Sequence, residues 1–404
     1  MSPDYPDKEP LALADSASTF APAATVVAPR TLVIEFTGSG SEYFRIWIVN
    51  LLLIVVTLGL YFPWAKVRRL RYFYGNTVVD GDPLGFHGSA WTMFKGFVVV
   101  AVFMGLYSLA GHFSQGAGFV AFLVIAGLWP ALLKAAMQFR MANTSWRGLR
   151  FGFSGSTAEA YRACLPLFVP GLLLLGLMLL APAGQGQGPT QQTSPQWLGV
   201  FVLVILFTVT IAPWLMWNLK SFQHRHYRFS SETTRFTVLA KSYYWLSLKI
   251  LGVAVLAYVF LIIAFVGAGL MASVATSKGP MAGILMGTAA VFLSIVAFSA
   301  IKPYAVTRFQ NLIWNGTESE NLQFESNLAV RSMVGLTLKN WFLILLTLGL
   351  YWPAAAVAMA RLRLAAVQVS SRVSPENLLA SSGSLAGQAI GDASGDFLGF
   401  DIGL

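Results

Sequence analysis

The chain has 404 residues, 56% of them hydrophobic and 11% charged, with a mean hydropathy of +0.65 and a formal net charge of +10. Soluble domains carry about 25% charge, so this composition excludes both a soluble multidomain protein and bulk disorder. A single cysteine, Cys164, excludes a disulfide scaffold, and a polytopic membrane protein is what remains.

In chain order, residues 1–30 are rich in Pro and Ala and carry Asp4, Asp7, Glu9 and Asp15 in place of the basic start of a signal peptide; they are expected to form a disordered tail. Uncharged windows of about 20 residues then mark membrane segments. Eight are present, at 44–65, 96–111, 116–133, 163–181, 197–217, 250–271, 281–301 and 340–358, uncharged apart from Arg45 in the first. The connections at 66–90, 138–162, 218–243 and 302–331 are basic. By contrast, 112–115 and 182–196 hold no Lys or Arg, and only Lys278 lies between the next two windows. The positive-inside rule puts the four basic connections in the cytoplasm, so the net charge reflects topology and not nucleic-acid binding. From 371 to 404 the chain turns Gly/Ser/Ala-rich and reads as a flexible tail, leaving 31–370 as the integral membrane domain.

That domain is self-similar. Residues 50–65 align with 340–355 at an offset of 290, sharing Asn50/Asn340, Thr57/Thr347, Gly59/Gly349, Pro63/Pro353 and, further on, Arg71/Arg361. Pro63, Pro130 and Pro303 are each followed 14 residues later by Thr77, Thr144 and Thr317, with Tyr227 in that place after Pro213. Phe36, Phe86, Phe153 and Phe236 each precede an aromatic by eight residues, and three of them open Phe-x-Gly-Ser; Phe324 fits poorly, with Ser332 eight residues on. The unit reads as a short strand, a membrane excursion, a proline-marked return, a basic arm and a turn into the next strand. Turn signals at Asp80-Gly81 and Arg147-Gly148 support the strands, with interfacial coil as the alternative. The fold class is therefore mainly α: a helical membrane protein of six to eight segments with internal repeats and a small cytoplasmic β component. Two readings of 44–65 and 340–358 stay open. They are plain spans, or they are broken elements that return to the side they left.

Several blocks carry a family resemblance: Phe36-x-Gly, Tyr43-Phe44-x-Ile46-Trp47-x-x-Asn50, the run from Thr57 to Arg68, Arg71-Tyr72-Phe73-Tyr74-x-Asn76-Thr77, then 143–155 and 335–353. Over about residues 31–370 the chain is similar to the YjgN-like family of bacterial inner-membrane proteins. The resemblance implies an integral protein of the cytoplasmic membrane. It carries no agreed activity, substrate or catalytic residue.

No carboxylate falls inside an apolar window, which weakens ion-coupled transport. His224 and His226 flank Arg225 at a spacing poor for zinc, and Cys164 has no nearby histidine, so no catalytic, metal or cofactor site is expected. The best candidates are the arms that mix Arg with aromatic rings: Arg68, Arg69, Arg71, Arg140, Arg225 and Arg228, suited to anionic lipid headgroups on the cytoplasmic side. Asn50, Thr57, Gly59, Pro63, Asn340, Thr347, Gly349 and Pro353 are candidates for helix breaks or a pore lining. The first functional reading is transport or sheltering of a small or amphipathic molecule. The alternative is a structural or lipid-organising scaffold that self-associates or binds an envelope protein.

Overall fold

The computed structural model describes residues 30–180, 195–274 and 280–374, so the expected tails lie outside the described residues apart from Arg30 and 371–374. After a short strand β1 (Arg30–Leu32), a leading strand five times feeds helices that bring the chain back to an antiparallel return strand. The first segment is β2 (Ile34–Phe36), α1 (Gly40–Val56), α2 (Phe62–Gly75) and β3 (Thr77–Val79). The second is β4 (Asp82–Phe86), α3 (Ala90–Phe113), α4 (Gln115–Ala142) and β5 (Thr144–Trp146). The third is β6 (Leu149–Phe153), α5 (Thr157–Cys164), a 3-10 turn (Leu165–Phe168), α6 (Val169–Leu180), α7 (Pro195–Arg225) and β7 (Tyr227–Phe229). The fourth is β8 (Glu232–Thr233), β9 (Arg235–Phe236), α8 (Ala240–Val274), α9 (Pro280–Ser299), α10 (Ile301–Asn315) and β10 (Thr317–Glu318). The fifth is β11 (Leu322–Ser326), α11 (Val330–Leu346), α12 (Trp352–Ala365) and β12 (Val367–Ser371).

Every leading strand meets its return strand in one register. Phe36 pairs with Thr77, Phe86 with Thr144, Phe153 with Tyr227, Phe236 with Thr317 and Ser326 with Val367. The next amide in each case (Thr37, His87, Ser154, Thr237, Asn327) donates to the carbonyl just before the return strand. Ser326, and not Phe324, thus holds the fifth position. The residue that buries itself after the strand lies seven places on, not eight: Tyr43, Met93, Ala160, Tyr243 and Met333. Thr77, Thr144 and Thr317 each donate a hydroxyl to the carbonyl four residues back, satisfying one orphan at a helix end.

Phe-x-Gly-Ser is the strand-to-helix joint. The Phe ring folds back over the glycine so closely that a Cβ at Gly38, Gly88 or Gly155 would sit 2.8, 2.6 or 2.7 Å from it. The serine then caps the helix that follows: Ser39 accepts from the amide of Glu42 and Ser89 from that of Trp91, while Ser156 forms a full capping box with Glu159. Ser156→Ala is expected to cost about 1 kcal/mol, read as a lower melting temperature in detergent.

The strands form a ladder that returns on itself. One run of neighbours goes from β2 to β8 and the other from β9 through β12 to β1. The two runs join through single residues, Val33 between β1 and β2 and Thr234 between β8 and β9. Asp80-Gly81 and Arg147-Gly148 take positive φ at both positions, the geometry that matches the twist of a two-residue hairpin. Alternate side chains point inward. Leu32, Trp146, Phe229 and Val369 are buried together there, with Ile34, Val79, Leu84, Leu149, Phe151, Leu322 and Phe324 against them, so the ring is a filled barrel and not a pore. At its turn end Arg30 pairs with Asp80 at 2.9 Å, and Arg147 reaches both Asp80 and Asp82 while covering the Trp146 ring.

The helices form a ring above the barrel. Each return helix packs on the outgoing helix of the next segment: α2 on α3, α4 on α5, α7 on α8, α10 on α11 and α12 on α1. Three hydrogen bonds stitch these seams in the same way, from Arg71 to the Gly88 carbonyl, Asn311 to that of Leu328 and Arg361 to that of Gly38. Among the described residues six helices are long and apolar enough to cross a membrane, all in the second to fourth segments.

The windows 44–65 and 340–358 are helical hairpins and not single spans. Tyr43 stacks on Tyr72 with ring centroids 5.2 Å apart, and Arg68 on α2 donates to Asn50 on α1, so the two limbs run back along each other. The Thr-Leu-Gly-Leu-Tyr sequence is the bend. Thr57 donates its hydroxyl to the Leu53 carbonyl at 2.7 Å and accepts the Tyr61 amide at 3.0 Å, while Leu58 and Gly59 take φ of 50° and 92°. Thr347, Leu348, Gly349 and Tyr351 repeat every detail.

Candidate functional site

The five return helices share a landmark. Pro63 and Pro353 sit in the first turn of α2 and α12, Pro303 near the start of α10, and Pro130 and Pro213 inside α4 and α7. Residues seven, ten and eleven places beyond the proline lie on one helix face. On that face stand Tyr74 of α2, Arg140 of α4, Lys220 of α7, Gln310 of α10 and Arg363 of α12.

These side chains meet. Arg140 donates from Nε to the Tyr74 hydroxyl at 2.9 Å, and its guanidinium lies 6.0 Å from the Tyr74 ring centre. Arg363 donates from Nε to Gln310 Oε1 at 2.7 Å, and Gln310 returns a bond to the Arg363 carbonyl at 3.0 Å. Lys220 is 7% exposed and within electrostatic reach of both Arg140 and Arg363. It makes no hydrogen bond or ion pair among the described residues. About one turn along α7, Gln223 is 2% exposed with Oε1 unpartnered, and His224 meets the Thr317 hydroxyl at 3.1 Å. Below the cluster, burial pushes the Tyr227 phenol up to about 12, with Arg140 pulling it partly back.

Neither Lys220 nor Arg363 has a carboxylate partner among the described residues. The one buried carboxylate among the described residues, Glu232, is in the barrel and is held by the side chain and amide of Asn321. A buried ammonium such as that of Lys220, with no counter-charge of its own among the described residues, is costly unless something anionic joins it. No group of three metal-ligating side chains occurs among the described residues.

Of the arginines expected from sequence, only Arg140 belongs to this cluster. Arg68 and Arg69 are exposed and lie over the rings of Tyr61 and Phe73. Arg71 is spent on the Gly88 carbonyl, and Arg225 and Arg228 are exposed at the end of α7 and on β7. Asn50 and Asn340 are buried inside the two short hairpins, where Asn340 donates to the Ala355 carbonyl at 3.5 Å and leaves Oδ1 unpartnered. Thr57, Gly59, Thr347 and Gly349 are at the bends, and Pro63 and Pro353 are buried beside them. Sequence reasoning missed Lys220, Gln310 and Arg363. The signal was available: all three lie seven or ten places beyond a landmark proline.

The family model described as "Bacterial protein of unknown function (DUF898)" matches residues 31–397. The inner membrane protein YjgN of Salmonella typhimurium is 26% identical over 336 residues, covering 80% of this chain and 84% of that protein. YjgN of Escherichia coli K12 is 25% identical over 220 residues, covering 51% of this chain and 54% of that protein. No solved structure matches. With this match and six membrane-length helices, the chain is a multi-pass protein of the bacterial inner membrane and belongs to the YjgN-like DUF898 family.

Proposed function

We propose that the five segments are copies of one module, that the barrel they share lies in the cytoplasm, and that the helix ring shelters or passes a small or amphipathic molecule. The observations that carry this reading are two hydrogen-bonded pairs between return helices, Tyr74 with Arg140 and Gln310 with Arg363, and a buried Lys220 within electrostatic reach of both arginines. A bundle built only to anchor a cytoplasmic domain gains nothing from burying Lys220. Repeated segments around a central site are a recurrent plan among membrane transporters, which supports the reading by analogy. The orientation rests on charge: Arg71 lies near the barrel end of its helix, and Arg147, Arg150 and Arg228 lie on the barrel strands and their turns.

Side-specific labelling tests the orientation. Val33 and Glu325 are exposed on barrel strands, and native Cys164 is buried, so single cysteines at 33 and 325 give clean signals. In spheroplasts an impermeant thiol reagent is expected to leave both unlabelled until the membrane is broken. Labelling of either one in intact spheroplasts would overturn the cytoplasmic barrel.

A further inference from the structure

We infer that Lys220, Arg363 and Arg140 together form a binding site for a phosphate-class oxyanion, carried either on a lipid headgroup or free in solution. The proposal rests on the sheltering role above and names what is sheltered.

Lys220 decides the matter. A lysine on a bundle surface stretches its stem along apolar neighbours and keeps its ammonium in water. Lys220 cannot, because it is only 7% exposed and its neighbours on α7, Ser221, Phe222, Gln223 and His224, are buried as well. An ammonium has three protons to donate and nothing here accepts them. Two guanidiniums within electrostatic reach worsen its situation, and the other members of the cluster are neutral: Tyr74, Gln310, Gln223, His224 and Thr317. A second unsatisfied group, Gln223 Oε1, lies three residues further along the same helix. An oxyanion resolves the defect at Lys220 by accepting from the ammonium and neutralising the repulsion among the cations; the Gln223 oxygen, itself an acceptor, gains nothing from it. A phosphate group fits better than a carboxylate because its several oxygens can engage an ammonium and two arginine forks together.

The depth of the site fits as well. Lys220 is five residues from the end of α7, about 7 Å along the axis. Its charge therefore lies near the level where the phosphates of the barrel-side leaflet lie. Tyr74, Arg140, Gln310 and Arg363 approach the ends of their own helices at the same level.

The test is thermal unfolding of the purified full-length protein. One arm adds inorganic phosphate in detergent, with chloride at matched ionic strength as control. The other compares nanodiscs of pure phosphatidylcholine with nanodiscs that also contain phosphatidylglycerol. Wild type is expected to gain several degrees in at least one arm, and that arm identifies the source. Lys220→Met and Arg363→Gln should lose the gain, with apparent affinity down at least about tenfold, while Lys220→Arg should keep part of it. Lys220→Met should also be at least as stable as wild type without ligand, since it removes a buried charge, so misfolding does not confound the readout. If Lys220→Met keeps the full gain, or wild type gains nothing in either arm, the anion site is wrong. Those results leave the labelling experiment intact, whereas failure of the labelling would overturn the cytoplasmic placement of the barrel and not this site.

Discussion

Trp146→Ala is expected to cost about 3–5 kcal/mol, enough to melt the barrel in a protein of ordinary stability. Trp146 is 4% exposed, and its indole donates to the Val79 carbonyl at 3.1 Å. The same ring packs against Phe229 at 5.7 Å between centroids and is covered by the Arg147 guanidinium at 4.9 Å. Truncation would open a large void among side chains contributed by strands from both runs of the ladder, and it would leave a carbonyl without its donor. Trp146→Phe fills most of the space but lacks the N–H, so it should fall between wild type and alanine. Unfolding in detergent, followed by near-UV circular dichroism, checks both. A loss below about 1 kcal/mol for the alanine variant would mean that the barrel interior is not packed as described.

Gly88→Val is the second large effect, with an expected cost of about 2–3 kcal/mol. The added Cβ alone would stand 2.6 Å from the Phe86 ring and 3.2 Å from that of Phe139, both buried. Neither ring can give way without losing its own packing, and the Gly88 carbonyl also anchors Arg71 across the seam. Gly105, with open space around its would-be Cβ, is the control; Gly105→Ala should be neutral or slightly stabilising. If the two substitutions behave alike, the joint is not the constraint claimed for it.

Much of this architecture was legible in the sequence because it depends on local, repeated chemistry. The interval of 14 from proline to threonine is a return helix of nearly constant length ending in a hydroxyl-capped turn, as at Thr77, Thr144 and Thr317. Phe-x-Gly-Ser marks a joint whose parts all lie within four residues. The fifth joint hid because Ser326 replaces the phenylalanine and Phe324, two places earlier, offered a decoy on the same strand face. Membrane windows counted by hydropathy could not separate a span from a hairpin, since Thr57 to Tyr61 bends the chain without any charge. The central cluster was less visible for a different reason. Arg140 was marked by the rings around it, but Lys220 and Arg363 read as ordinary positive-inside residues, and only closure of the helix ring encloses Lys220. Burial of that kind is a property of the assembly of segments and not of any one of them.

The unequal heights of the five hairpins have a consequence for whatever surrounds the protein. α1 has 17 residues, about 25 Å of rise, against a hydrocarbon thickness of about 30 Å, and α11 has the same length. The two low hairpins are neighbours, joined where Trp352 meets Trp47 at 6.1 Å, so the palisade is tall on three flanks and has a sill on the remaining side. Leu58 and Leu348 stand on that sill almost wholly uncovered. Acyl tails from the opposite leaflet must dip to cover them, which makes this one sector the softest patch of bilayer around the molecule.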